Sequence, residues 1–197
     1  YRRFLHVLFQ RFQPQHHGNA EHKPEDVKIG KRHRMLRHLQ CRRTDNDCVE
    51  RAEHHISYIR TKQEFLYLSI IRDLYDNSIV AYKTGSDQST KLVLDTIRSA
   101  KRKEKVTAEL QLHSDQGFQY TSQAYFKLTQ QYGMTPSMSR RGNPYDNAFA
   151  ENFFSILKTE CIYRTKIATL SQAKELIDDY IFFYNNQRIQ SKTKLTP

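Results

Sequence analysis

The sequence predicts a mixed α/β fold, and three observations lead to that prediction. Three short segments rich in β-branched and aromatic residues follow one another at 56–59, 65–71 and 79–82, with good turn residues between the last two. A segment with apolar residues at helical spacing, 89–103, comes next. Strand and helix patterns then alternate along the rest of the chain. We therefore expect an antiparallel meander and a crossover helix, after which a strand can lie parallel to the first.

The elements after the crossover helix are each marked by a local pattern. Residues 109–114 alternate between apolar and polar side chains and predict a strand that ends at the turn Asp115-Gln116-Gly117. The remaining predicted elements are a helix at 122–132 closed by Gly133, a short extended segment at 134–139, a basic loop at 140–145, and helices at 146–160 and 171–184.

Residues 1–43 differ from the rest of the chain in charge. They hold 11 Lys and Arg against 3 Asp and Glu, a net charge of +8 out of the +11 of the whole chain. Two short helical patterns, at 3–12 and 31–43, flank a polar stretch that contains Pro and Gly. We predict a basic helical segment at 1–43, with the layout of a truncated helix-turn-helix region that binds DNA, and a core at 44–197. A solvated basic tail is the alternative interpretation.

Composition excludes several classes of protein. With 197 residues and 38% hydrophobic residues, the chain has enough apolar material for a core. The longest apolar runs are too short to span a bilayer, and we expect no membrane partner. Three cysteines without a CxxC pair argue for a reducing compartment, and no secretory leader follows Tyr1. We therefore expect a cytoplasmic protein.

Two acidic residues stand out by their positions. Asp115 follows a predicted strand, and strand ends are where sites collect in α/β folds. Glu151 lies within a predicted helix next to Ala150 and Phe153, which is an unusual setting for a simply solvated carboxylate. Hard cations such as Mg²⁺ bind carboxylates contributed by separate elements, and two such ions can hold the oxygens of a phosphodiester displacement.

These acids lie in motifs that resemble a known family. The segment His113–Ser122 closely resembles the second-acid motif of bacterial insertion-sequence transposases of the DDE type, whose core is similar to that of retroviral integrases. The segment Ser137–Phe154 resembles the third-acid motif, and 35 residues separate Asp115 from Glu151, the spacing that such families show. Near the end of the chain, Tyr184–Arg188 resembles the family's C-terminal signature.

The resemblance covers roughly residues 56–197 and implies a fold, an activity and partners. It implies a ribonuclease-H-like mixed sheet flanked by helices, in which three acids bind two Mg²⁺ or Mn²⁺ ions. It implies DNA strand transfer, in which hydrolysis at a transposon end precedes attack of the freed 3′-hydroxyl on target DNA. Two ends must be held, so it also implies a homo-oligomer on DNA. A metal-dependent nuclease with the same fold is a further interpretation.

Four residues are predicted to contact DNA. Glu151, Ser155 and Lys158 share one helix face, which would place Lys158 beside a phosphate of bound DNA, although a solvated lysine fits the pattern as well. The others lie on the basic loop: Arg140 and Arg141 as contacts to a strand, and Tyr145 as a residue that stacks on a base. A tyrosine that packs under its own turn is the alternative for the last.

The first acid departs from the family pattern. The family has an Asp before an Ile-Thr-Tyr-Ile strand and a Trp three residues earlier, whereas this chain has His55 and Ala52 there. His55 could ligate a metal, which suits Mn²⁺ or Zn²⁺ better than Mg²⁺. Glu53 could supply the carboxylate, because residues two apart on a strand point to the same face. A third explanation is that the chain is an inactive DNA-binding remnant. Of the three explanations for His55 we favour this one, because a two-metal site needs a bridging carboxylate that imidazole does not supply.

Overall fold

The computed structural model describes residues 50–103, 109–140, 148–191 and 193–197, with the backbone alone at 148–150. The described residues belong to one compact unit, Val49–Pro197. The predicted basic segment at 1–43 lies outside these ranges, and so do Arg141 and Tyr145. The division between residues 43 and 44 stays a prediction.

The described part of the chain contains one mixed sheet of five strands. The strands are β1 Glu50–Arg60, β2 Phe65–Asp73, β3 Ile79–Gly85, β4 Leu110–Ser114 and β5 Met134–Met138. Their order across the sheet is β3-β2-β1-β4-β5. The first three strands pair antiparallel, whereas β4 pairs parallel to β1 and β5 pairs parallel to β4. The predicted α/β class, the meander and the parallel strand after the crossover helix are confirmed.

Four α-helices lie in the described ranges. They are α1 Thr90–Lys103, α2 Gln123–Gln131, α3 Ala148–Glu160 and α4 Leu170–Asn186. Ser122 caps α2 by accepting a hydrogen bond from the Tyr125 N–H, and Thr169 and Gln172 form a capping box at the start of α4. None of the helices in these ranges combines the length and the apolar character that crossing a bilayer requires.

The two faces of the sheet are covered by different helices. Alternation along β1 turns Ala52 and Ile56 to one face, where they pack with the apolar sides of α1 and α2. The opposite face carries the intervening residues of β1 and their partners on β2. Helix α3 contacts β1, and helix α4 contacts β3. The buried aromatic residues Phe153 of α3 and Tyr184 of α4 meet edge to face, with ring centroids 4.9 Å apart.

Strand β1 begins six residues earlier than the pattern 56–59 predicts. Its first half pairs with β4, from Glu50 opposite Leu110 to Glu53 opposite His113. This half is polar, and polar residues do not signal a buried strand in a sequence. His54 is nevertheless fully buried, and its Nε2 lies 2.8 Å from the Ser69 hydroxyl oxygen on β2. Its Nδ1 has no hydrogen-bond partner among the described residues, so the contact with Ser69 offsets only part of the cost of burial.

Candidate active site

Asp115 is held at the end of β4 by the turn that follows it. Its Oδ1 accepts a hydrogen bond of 2.8 Å from the Gly117 N–H. A Cβ atom at Gly117 would lie 2.9 Å from this oxygen and 2.9 Å from Oε1 of Gln119, closer than real Cβ atoms come. The glycine therefore allows the close approach that fixes the direction of the half-buried Asp115 carboxylate.

A cavity of about 440 Å³ lies beside this turn. One wall is the second half of β1 with His55, and another is α3 with Glu151. Glu53 pairs with His113 in the parallel ladder, so continuing the same register by two residues brings His55 level with Asp115. The cavity thus brings together the three residues that were predicted at the three acid positions.

The exposed face of α3 forms one side of the cavity. Glu151, Ser155 and Lys158 all line it, as their spacing of four and then three residues predicts. The Lys158 nitrogen lies 5.2 Å from the centre of the Tyr58 ring on β1. This places a cation within contact distance of both the cavity and an aromatic ring.

Helix α3 is anchored to α4 at the end away from Glu151. The Glu160 carboxylate accepts a hydrogen bond of 2.7 Å from the Tyr180 hydroxyl and two, of 3.1 and 3.0 Å, from the Arg188 guanidinium. Arg188 also stacks over Tyr184, with its central carbon 5.6 Å from the ring centre. The C-terminal signature Tyr184–Arg188 therefore holds the helix that carries Glu151.

The carboxylate that His55 contacts is the buried one of Glu53. The His55 Nε2 lies 3.2 Å from Oε1 of Glu53, and Glu53 is 1% exposed. The distance is that of an ion pair, although neither Glu53 oxygen makes a well-directed hydrogen bond within the described ranges. The two side chains share one face of β1, as the alternation of a strand predicts. Glu53 itself does not line the cavity.

The neighbouring histidine has a different role. Burial, with a smaller contribution from His55, lowers the pKa of His54 to about 3. His54 is therefore neutral at pH 7 and lies on the opposite face of β1, where its ring meets Tyr120 edge to face at 5.2 Å. It is a core residue and does not line the cavity.

The residues at the cavity suit a divalent cation in part. Asp115 and Glu151 offer carboxylates from a strand end and from a helix, which is the arrangement that Mg²⁺ or Mn²⁺ requires. His55 offers imidazole, which Mn²⁺ accepts more readily than Mg²⁺. Among the described residues, no group of three His, Cys, Asp or Glu side chains forms a complete metal-binding set. Asp115 and Glu151 are therefore the carboxylates that a divalent cation would meet in this cavity.

Two of the predicted DNA contacts can be located. Lys158 lines the cavity, whereas the exposed Arg140, two residues after β5, does not. Sequence reasoning missed Tyr163, which also lines the cavity and is 76% exposed. It lies in a short 3₁₀ helix, Ile162–Arg164, after α3, where no helical periodicity connects it to Glu151.

Comparisons with known proteins identify a family for the described core. The family model described as "Integrase core domain" matches residues 50–144, and a second model with the same description matches residues 151–197. The chain is 41% identical over 137 residues to the transposase for insertion sequence element IS904 of Lactococcus lactis, and 39% identical over 129 residues to a transposase-like protein of Haemophilus influenzae. These matches cover 69% and 66% of this chain and 54% and 59% of the relatives, so the chain spans little more than half of their length.

Solved structures share the fold at low sequence identity. A chain of the simian T-cell lymphotropic virus intasome, solved with the PP2A regulatory subunit B56 gamma, matches with a TM-score of 0.64 and 15% identity, over 74% of this chain and 51% of that one. The catalytic core domain of HTLV-2 integrase, solved with magnesium, matches with a TM-score of 0.58 and 12% identity, over 74% and 91%. The ribonuclease-H-like fold predicted from the motifs is confirmed.

Proposed function

This chain belongs to the integrase core family, among the relatives of bacterial insertion-sequence transposases, and from that premise we propose that it catalyses DNA transposition by metal-dependent strand transfer. One observation carries the proposal: carboxylates from a strand end and a helix, Asp115 and Glu151, face one cavity beside Lys158. Such a site needs no protein nucleophile, because phosphoryl transfer is accelerated by positioning and by neutralising charge.

The proposed reaction has two steps, hydrolysis at the transposon end and transfer of that end to target DNA. Water attacks the phosphorus at the transposon end, and the bond to the 3′-oxygen breaks, which leaves a 3′-hydroxyl on the transposon and a 5′-phosphate on the flanking strand. The 3′-hydroxyl then attacks a target phosphodiester and displaces the 3′-hydroxyl of the target strand. In each step the attacking oxygen, of water and then of the 3′-hydroxyl, loses one proton, and the leaving 3′-oxygen gains one.

The residues of the cavity have separate roles in this proposal. Asp115 and Glu151 would hold Mg²⁺ or Mn²⁺, with a second ion if a further carboxylate joins them, and Lys158 would pair with a DNA phosphate. The bound cation would neutralise phosphoryl charge and make the attacking hydroxyl easier to deprotonate. Joining both transposon ends to one target requires more than one site, so we propose a homo-oligomer on DNA. The basic segment 1–43 is proposed as a DNA contact.

The decisive experiment is a cleavage and joining assay on DNA that carries the terminal repeats of the encoding transposon, with Mg²⁺ and with Mn²⁺. Ordered cutting and joining supports the proposal. Binding without cutting supports an inactive DNA-binding remnant, the alternative that the histidine at position 55 suggests. Degradation without regard to sequence supports a general nuclease.

Substitution of the two carboxylates tests the site assignment. We expect Asp115→Asn and Glu151→Gln each to reduce metal-dependent cutting roughly 100-fold or more, because each removes a charged metal ligand. Unchanged thermal unfolding would show that the fold is intact. Activity that survives either substitution would remove that residue from the site.

A further inference from the structure

Beside the proposed catalytic cavity lies a surface whose aromatic residues have no role in the two-step reaction. Three aromatic side chains form it together with Lys158: Tyr58, Phe65 and Tyr163. Tyr58 is 56% exposed, Phe65 44% and Tyr163 76%. Large aromatic residues that cluster on a surface commonly mark a binding site. We refer to these four side chains as the aromatic patch.

The members of the aromatic patch are connected by contacts and by the cavity. Tyr58 and Phe65 meet edge to face, with ring centroids 5.4 Å apart. The Lys158 nitrogen lies 5.2 Å from the centre of the Tyr58 ring. Lys158 and Tyr163 line the same cavity as Asp115 and Glu151. The patch therefore continues directly from the carboxylates.

Two chain segments carry the patch, and they lie side by side. The Lys62 N–H donates a hydrogen bond of 3.2 Å to the Ile167 carbonyl, which joins the turn after β1 to the segment after the 3₁₀ helix. Lys62 lies four residues after Tyr58 in the sequence, and Ile167 lies four residues after Tyr163. One main-chain hydrogen bond thus joins the two segments.

The charge of these segments is positive. Residues 58–65 and 158–167 contain five basic side chains, namely Arg60, Lys62, Lys158, Arg164 and Lys166. They contain two acidic ones, Glu64 and Glu160, and Glu160 is bound by Arg188. An anionic ligand is therefore favoured at this edge of the molecule.

Aromatic rings interleaved with cations are the chemistry that binds single-stranded nucleic acid. Exposed rings stack on unpaired bases, and the cations follow the phosphates. A duplex cannot use the rings in this way, because its bases are stacked on one another. A strand that leaves a cavity where its phosphodiester is cut or joined can present unpaired bases.

We propose that the aromatic patch binds the unpaired bases of the DNA strand whose phosphodiester lies at the cavity, with Tyr163 and Tyr58 as stacking residues and Lys158 as a phosphate contact. This rests on the proposed function only in taking DNA as the substrate. Fraying of the DNA end beside Asp115 and Glu151 is then stabilised by the protein itself.

The absence of tryptophan from the sequence gives a direct test. In the full chain, Tyr163→Trp introduces a single reporter, and Tyr75→Trp is the matched control. Tyr75 is 64% exposed but follows β2 near the start of β1, where the Leu74 N–H donates to the Arg51 carbonyl. With EDTA present, an oligothymidylate of about 20 nucleotides should quench the emission of Tyr163→Trp and leave that of Tyr75→Trp unchanged. Equal quenching of both reporters, or of neither, overturns the proposal.

Affinity measurements separate stacking from charge. Tyr163→Ala should weaken binding of the oligothymidylate about 5- to 150-fold, whereas Tyr163→Phe should retain it within about twofold. Binding of a blunt hairpin duplex should change less than about threefold in both variants. An equal loss on the duplex overturns the stacking role. A change in oligomeric state with no loss of strand affinity assigns the patch to self-association and also overturns the proposal.

These measurements need no cutting, so their outcome is independent of the catalytic proposal. Quenching by the single strand in a chain that never cuts DNA leaves the aromatic patch standing and removes the proposed function. Ordered strand transfer with no effect of Tyr163→Ala on strand binding does the reverse.

Discussion

His55 stands at the first acid position, where the family pattern has an aspartate, and it forms a close pair with Glu53. A buried carboxylate is costly without a close polar partner, and Glu53, which is 1% exposed, has the His55 Nε2 at 3.2 Å from its Oε1. An aspartate at position 55 would instead face this buried carboxylate. Two carboxylates so close cannot both ionise readily, so the pair constrains how the first acid can be restored.

His55→Asp should raise metal-dependent cutting about 10-fold or more if the missing acid limits activity, because it supplies a third carboxylate at the cavity. The double variant Glu53→Gln/His55→Asp should be more active still, since the neighbouring negative charge is removed. Cutting rates in Mg²⁺ measure both. Adding Asp115→Asn to either variant should abolish the gain. A parent chain that is already fully active, and is impaired by His55→Asp, would contradict this expectation.

The residues that could be predicted are those whose motifs fix their spacing. Asp115, Glu151 and Lys158 lie around one cavity. Their proximity could be predicted because a strand end and a helix face can be recognised in the sequence. The pairing of Glu53 with His55 follows from the alternation of a strand. Tyr163 could not be predicted, because its position depends on a 3₁₀ turn that has no periodic pattern of its own.

At the scale of elements, the turn after β4 and the helix α3 each position one carboxylate by a specific contact. The turn uses the Gly117 N–H to hold Asp115, and α3 uses Glu160 to hold its far end against α4. The antiparallel meander, the crossover helix and the parallel strand after it could be predicted from hydrophobic patterns. The length of β1 could not, because its first half is polar and is buried by long-range pairing with β4.

Gly117→Ala should reduce cutting about 10- to 100-fold, because its Cβ would meet Asp115 Oδ1 at 2.9 Å and displace the carboxylate. Gly133→Ala is the matched control. Gly133 has φ +66° and open space around it, so alanine there should cost about 1 to 2 kcal/mol of folding stability with no specific loss of activity. Chemical unfolding and cutting rates, measured together, distinguish the two. Equal activity losses in both variants would argue against a positioning role for the turn.

Glu160→Ala should lower the free energy of unfolding by about 2 kcal/mol, because it leaves Arg188 and Tyr180 without their shared acceptor. The control is Asp95→Ala, which breaks the exposed ion pairs of Asp95 with Lys91 and Arg98. That change should cost about 0.5 kcal/mol or less. Urea unfolding measures both, and similar losses would show that the partly buried Glu160 contacts contribute no more than a surface ion pair.

At the scale of the whole molecule, the core buries several weakly acidic groups in their neutral form. Burial raises the pKa of the Tyr125 hydroxyl and of the Cys161 thiol, each to about 12. Burial likewise raises the pKa of Tyr180 and Tyr184 above the ordinary tyrosine value. In the unfolded chain these groups would ionise at lower pH, so the folded state binds more protons under alkaline conditions.

The stability of the fold should therefore fall as the pH rises above 9. For Cys161 the ordinary pKa is 9.0, so its contribution is complete below pH 9 and is lost towards pH 12, at about 1.4 kcal/mol per pH unit. Cys161→Ala should show a shallower decline of the unfolding free energy between pH 9 and 11. Its slope between pH 6 and 8 should match that of the parent. Parallel curves across both ranges would show that the thiol does not titrate on unfolding.

The central position of β1 in the order β3-β2-β1-β4-β5 has a consequence for the growing polypeptide. The meander of β1, β2 and β3 consists of neighbours in sequence and can pair early. Asp115 lies 60 residues beyond His55, and Glu151 lies 96 residues beyond it. A nascent chain leaving the ribosome thus completes its sheet nucleus long before Glu151 is synthesised. Truncated translation products that end before Asp115 would carry the early hairpins without either of the proposed metal-binding carboxylates.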